Sequence, residues 1–374
     1  MLSFIHTADI HLDAPLVSLS SVYEQRQYDF RLTMSRIRDL VISKQVDFWL
    51  IAGDLLEYHG GTRATALFLR DLFASVDPVP VCIAPGNHDP WMEDSFYQTI
   101  EWPANVFFFT GEWGVYEFPE KSCVIYGWGF PQAHVPESPL DRFPGRLDGY
   151  QHHLMVLHGT VLTSEPTEHQ PYAPLQLSDL AKTGVNYVAL GHIHKPMQFP
   201  HPTKGTPFAA YPGSPEGLTV KEQGPRAVLF GQVDEAGQVR LTPIPVQSRQ
   251  ILRVEWQASG VETVDALLAR LQEDLREIDS DSLLYLTLTG ERASHLIPPL
   301  ELIRGQLQRF FYLHLEDETW PDIDEDKLLT DYGILGRWIK KLRDIEETAT
   351  DVRERETARL ARQEATKRIG GMLR

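Results

Sequence analysis

At 374 residues and 42% hydrophobic content, the chain can hold one large domain and a smaller one around real cores. Its first residues lack the basic start of a signal peptide, no apolar run nears the roughly 20 residues of a membrane span, and two cysteines are too few for a zinc finger. A net charge of −17 argues against a surface that grips nucleic acid throughout, since phosphate contacts need positive charge.

A cytoplasmic protein is therefore expected, with Cys82 and Cys123 reduced in the core because both sit in strand-like runs. From residue 1 to 248 strand-like and helical stretches alternate, the pattern of an α/β domain. Strands are expected at 2–7, 47–52, 79–84, 105–109, 123–128, 152–157 and 185–190, helices at 23–43 and 62–75, and a hairpin over 227–244. Residues 130–148 and 163–174, rich in proline and polar side chains, read as long surface loops.

Past Pro245 the order becomes β-α-β-α-β over residues 251–315, which suggests a small α+β domain at 249–318. An acidic stretch broken by Pro321 then opens a linker and tail at 319–374. The tail reverses sign, with 11 Lys or Arg against 7 Asp or Glu over residues 335–374. Trp338, Leu342, Ile345, Ala349 and Val352 recur at heptad spacing, as on one apolar helical stripe.

Chemistry gathers at five strand ends: Asp9-Ile10-His11, Gly53-Asp54, Gly86-Asn87-His88-Asp89, His158-Gly159 and Gly191-His192-Ile193-His194. Histidines two apart at the mouth of a strand face the same way, and imidazole is the commonest protein metal ligand. Each end also has an ordinary reading. Asp54 could close a turn, Asn87-His88-Asp89 suits a turn, and His158 could be a core histidine. Repetition at five successive ends favours a metal site holding one ion or a pair. The other histidines, His6 among them, have no comparable partners and are expected to be ordinary.

In this order the motifs DxH, GD, GNHD, LHG and GHIH resemble the calcineurin-like metallophosphoesterase superfamily over residues 1–248. Tyr211-Pro212-Gly213-Ser214 is similar to an element of the SbcD-type DNA repair exonucleases, and residues 4–15 resemble a YhaO-like branch. The resemblance implies an α/β fold, a calcineurin-like β-sandwich flanked by helices, with a small α+β capping domain and a helical C-terminal tail. It implies two divalent metals, manganese by preference. One would take Asp9, His11, Asp54 and His194, and the other Asp54, Asn87, His158 and His192, with Asp54 bridging. A bridging hydroxide would attack in line, His88 would stabilise or protonate, and Asp89 could hold the His88 ring. Glu57 stands where many of these nucleases carry histidine or aspartate.

The implied activity is hydrolysis of DNA by an exonuclease subunit that binds a coiled-coil SMC-like ATPase (SbcC or YhaN-like) through its tail and could form a homodimer. A phosphodiesterase or phosphatase acting on a small nucleotide or lipid-linked phosphate is the alternative. A catalytically dead interaction module is the second, disfavoured by the complete ligand set. Arg26, Arg31, Arg63, Lys195 and Lys204 lie near the motifs as local positive charge, and most DNA affinity is expected to come from a partner subunit.

Overall fold

In the computed structural model, residues 1–162, 171–203, 205–322 and 334–372 are described. Expected features at 163–170, at Lys204 and at 323–333 lie outside them. The chain divides into two compact units, residues 1–250 and 251–374.

In the first unit, β1 (Leu2–Thr7), β2 (Phe48–Ile51), β3 (Val81–Ile83), β4 (Val106–Phe108), β5 (Gly114–Phe118) and β6 (Cys123–Trp128) are followed by six more strands. These are β7 (His152–His158), β8 (Tyr187–Gly191), β9 (Met197–Pro200), β10 (Pro207–Tyr211), β11 (Ala227–Val233) and β12 (Val239–Pro245). They make two six-stranded sheets, ordered β12-β11-β1-β2-β3-β4 and β5-β6-β7-β8-β10-β9.

Central strands that are apolar at nearly every position must be covered on both faces. Phe4, Phe48, Leu50 and Cys82 of one sheet share a core with Ile125, Leu154, Val156 and Tyr187 of the other. On the outer face of the first sheet, Trp49 meets Phe73 of a helix edge-on at 5.4 Å. Helix α1 (Tyr23–Lys44) buries Phe30, Met34, Ile37 and Val41 at helical spacing. Helix α2 (Arg63–Ala74) is capped by Thr62, whose hydroxyl accepts the Thr65 N–H at 3.2 Å. Short helices α3 (Phe96–Thr99) and α4 (Leu177–Lys182) follow, and Leu180 of α4 joins Met155, Leu157 and Leu190 outside the second sheet. The expected sandwich flanked by helices is therefore the fold.

Sequence pattern overlooked β5, β9, β10, α3 and α4. β5 and β9 are edge strands of the second sheet and only partly buried, so they lack a continuous apolar run. Pro200 and Pro207, at strand ends where no ladder hydrogen bond is lost, obscured β9 and β10.

The second unit is built on β13 (Ile251–Gln257), β14 (Leu283–Thr289) and β16 (Tyr312–Asp317), all parallel, with the short pair β15 (Glu291–Arg292) and β17 (Trp320–Pro321) beside them. Leu267 and Leu271 of α5 (Val264–Asp274) and Ile303 of α6 (Leu300–Gln306) close over Leu284, Leu286 and Leu288. The first residues of the expected linker thus pair as a strand.

The tail departs from a single heptad helix. Helix α7 (Ile334–Thr348) ends before Ala349–Asp351, and α8 (Val352–Met372) returns to pack on α7 and β17. Ile339, Ala358 and Ala365 are buried, whereas Trp338 is 44% and Val352 70% exposed. The 4-3-4-3 spacing ran across a turn. No helix among the described residues is long and apolar enough to cross a membrane.

A buried polar pair helps link the sheets. His6 is fully buried, with Nδ1 2.8 Å from the Tyr187 hydroxyl and Nε2 3.2 Å from the Leu190 carbonyl. Burial pushes its pKa down to about 3, only partly offset by the Leu190 carbonyl. The folded state therefore holds a neutral ring, while the unfolded chain takes up a proton below its ordinary 6.5. This contribution is intact above pH 6.5 and is lost as pH falls from 6.5 toward 3. Urea unfolding of the wild type and His6→Gln in chelator should show the wild-type advantage shrinking by about 1 kcal/mol per pH unit below that point. A pH-independent difference would remove His6 as the cause.

Candidate metal centre

Parallel strands end on the same side, so β1, β2 and β3 deliver their following loops to one edge, and β7 and β8 do the same in the second sheet. Pairing continues beyond the strands: the Asp9 N–H donates to the Gly53 carbonyl at 3.0 Å and the His11 N–H to that of Asp54 at 2.9 Å. Asp9, His11, Asp54 and His192 all adopt positive φ, between 52° and 110°. Non-glycine residues there cost about 1–3 kcal/mol each and persist only where the surroundings enforce them. At Gly191 a Cβ would overlap the Ala52 carbonyl oxygen, so only glycine lets the two sheets' edges approach this closely.

All seven expected ligands come together. Donor atoms of Asp9, His11 and His194 lie within 4.8 Å of one another, as do those of Asp54, His158 and His192. Asp54 Oδ2 stands between the groups, 3.6 Å from His11 Nε2 and 3.3 Å from His158 Nε2. Asn87 Oδ1 lies 3.0 Å from His158 Nε2 and 3.1 Å from His192 Nδ1.

Three observations fit this set to divalent metal. Asp9 is fully buried, yet its Oδ2 has no hydrogen-bond partner. His11 Nε2 faces His194 Nε2 at 3.1 Å, an arrangement that a shared cation satisfies. In three of the four expected histidine ligands the far ring nitrogen is anchored: His11 Nδ1 to Glu57 at 2.8 Å, His194 Nδ1 to Glu222 at 3.0 Å and His158 Nδ1 to the Ala52 carbonyl at 2.8 Å.

Charge is distributed accordingly. Burial, then repulsion by His158, lowers His192 to about 3, so that ring is neutral as a ligand must be. Burial would raise the Asp54 carboxyl, but the charge and hydrogen bond of His158 outweigh it and hold it well below the ordinary range. For Glu57, burial is likewise overcome by hydrogen bonds from His11 and His88, leaving it at about 2. His88 is raised to about 9, chiefly by its hydrogen bond to Glu57, against burial.

The expected pairing of Asp89 with His88 is not found. His88 Nδ1 meets Glu57 Oε2 at 3.1 Å instead. The Asp89 carboxylate turns inward and accepts N–H groups from Asp54, Leu55, Leu56 and Gly86 at 2.6–3.1 Å, plus the Tyr97 hydroxyl. Adjacent residues in a turn point in different directions, which sequence adjacency conceals.

Glu222 was missed. It carries no local pattern, and its role depends on the loop after Tyr211, where its second oxygen accepts the Ser214 hydroxyl at 2.7 Å. Arg26 corrects the expected positive rim: it is fully buried between Asp29 and Glu216, each at 2.8 Å. Arg63 and Lys195 are exposed, and Arg31 is partly so.

Residues 2–231 match the calcineurin-like phosphoesterase family, and the chain belongs to it. It is a metallophosphoesterase, a hydrolase class that works through divalent metals. The uncharacterized metallophosphoesterase YhaO of Bacillus subtilis (strain 168) is 29% identical over 344 residues, covering 86% of this chain and 80% of YhaO. The DNA double-strand break repair protein Mre11 of Methanopyrus kandleri is 26% identical, covering 72% of this chain and 61% of Mre11. The SbcD component of the nuclease SbcCD from Bacillus subtilis is 24% identical, covering 59% of this chain and 63% of SbcD. The last two are matched over less than two thirds of their length.

Asp54→Ala removes the carboxylate that stands between the two donor groups, 3.6 Å from His11 Nε2 and 3.3 Å from His158 Nε2. Metal analysis of the purified variant should show loss of both ions together rather than one. Retention of full occupancy would remove the bridging assignment.

Proposed function

We propose that this chain is a metal-dependent phosphodiesterase that hydrolyses DNA as the nuclease subunit of a repair complex. The observation that carries the chemistry is the complete donor set with His88 at its rim, 46% exposed and tied to Glu57. Similarity to Mre11 and to SbcD supports DNA as the substrate.

Asp9, His11, Asp54 and His194 would hold one divalent ion, and Asp54, Asn87, His158 and His192 the other, with manganese the preferred metal. When bound, such a pair neutralises phosphoryl charge and lowers the pKa of water. His88, positioned by Glu57 at 3.1 Å, would give a proton to the leaving 3′ oxygen as the oxygen of water bonds to phosphorus and the P–O bond breaks. Asp89 acts as a positioning residue, by fixing the backbone on which Asp54 and His88 sit. The net charge of −17 and the burial of Arg26 favour a second reading, in which a small nucleotide is the substrate.

End-labelled duplex and single-stranded DNA, compared with cyclic nucleotides in manganese and magnesium, separate the two readings. Manganese-dependent shortening of DNA is expected, and hydrolysis of cyclic nucleotides alone would overturn the nuclease. His88→Ala should keep its metals and lose roughly 10²-fold in hydrolysis. Unchanged turnover with normal metal content would dismiss its role.

The tail helices expose Trp338, Val352 and Leu360, apolar side chains that we assign to contact with a coiled-coil ATPase. Trp338→Asp with Leu360→Asp should abolish co-purification with that ATPase and leave hydrolysis of bis-p-nitrophenyl phosphate intact. Persistent co-purification would place the contact elsewhere.

A further inference from the structure

Beside the metal centre lies a cavity of 380 Å³, within the size range of small-molecule sites. Tyr58, His59, Asp94, Ser95 and Phe96 line it, and Glu57, which holds His11 and His88, forms part of the same wall. Whatever enters this cavity lies against the carboxylate that holds His11 and His88.

Its lining limits the occupant. Glu57 and Asp94 bring carboxylates to the wall, and neither lysine nor arginine is among the described lining residues, so a phosphate group is repelled. Tyr58 and His59 stand edge-on at 4.9 Å, and with Phe96 they offer aromatic surface to a flat ring. Ser95 supplies the decisive polar group. It is 5% exposed, it opens α3 without capping it, and its Oγ has no hydrogen-bond partner. A buried hydroxyl left unpaired is unfavourable, and a ligand with a hydrogen-bonding edge would satisfy it. Asp94, which accepts the Tyr58 hydroxyl at 2.6 Å, adds acceptor character.

We infer that this cavity takes the base of the nucleotide flanking the scissile phosphate, favouring bases with an exocyclic amine. The inference rests on the phosphodiesterase reading above. The base stacks on the aromatic wall, its amine donates to Asp94 and Ser95, and its phosphate remains outside at the metals.

The full-length protein is titrated calorimetrically with deoxyadenosine, thymidine and 1,2-dideoxyribose, using wild type, Phe96→Ala and Ser95→Val. Hydrolysis of bis-p-nitrophenyl phosphate by each variant reports folding and an intact centre. Deoxyadenosine should bind more tightly than thymidine, the base-free sugar should not bind, and both variants should weaken deoxyadenosine binding at least about fivefold, the lower end of base–aromatic stacking. Absent binding, or equal affinity in wild type and Phe96→Ala, overturns the assignment. The nuclease is judged separately, on DNA with an intact or abasic terminal nucleotide. Equal cutting of both removes the cavity's role and keeps the nuclease. Deoxyadenosine binding in a protein that leaves DNA uncut keeps the cavity and removes DNA as substrate.

Discussion

The metal centre hangs on the carboxylate of Asp89. Four backbone N–H groups and the Tyr97 hydroxyl converge on its two oxygens, tying the turn after β2 to the turn after β3. Burial and the charge of Asp54 raise its pKa, so the anion depends on those donors. Without it, four N–H groups would lack their shared acceptor, at about 1–3 kcal/mol for each left buried and unpaired. The left-handed backbone at Asp54 is a conformation that an untied turn would abandon. Asp54 in turn accepts the His88 N–H at 2.9 Å, so the tie reaches the rim of the site as well.

A second layer of carboxylates completes the centre. Glu57 and Glu222 each take the outer nitrogen of a histidine whose inner nitrogen faces the other across 3.1 Å. They fix ring orientation and leave inner lone pairs for metal. Glu57 also grips His88, so one carboxylate couples a proposed ligand to the proposed acid. In a chain of net charge −17, these two carboxylates are engaged locally with histidine rings.

The strand ends were legible because each apolar run stops abruptly at residues too polar or too flexible to continue it. Gly53-Asp54 and Gly191-His192 carry both signals, and both fall where the sheets' edges meet. What escaped is what depends on three-dimensional closure. Glu222 approaches His194 only through the loop after β10, and Arg26 reads as a surface cation until α1 packs it against Glu216. Asp89 was expected to touch His88 because the two are adjacent, but adjacency says nothing of direction, and its carboxylate meets backbone N–H groups instead. The tail misled by a spacing that continued across a turn, with Ile339 buried and Trp338 left outside.

The place of β1 has a consequence for biogenesis. It lies inside its sheet, with β2 on one side and β11 on the other, so Leu2 is registered against Val233. The donors are spread from Asp9 to His194, and the strand that closes the sheet beside the first of them arrives later still. Pairings between such distant segments form slowly, because the chain must be closed over a long loop before any contact rewards it. During synthesis the nascent chain would expose Asp9 and His11 long before Ala227–Val233 leaves the ribosome. The donor set is complete only once segments as distant as Asp9 and His194 have both been made, so a chain cut short before His192 would carry Asp9 and His11 without their partners.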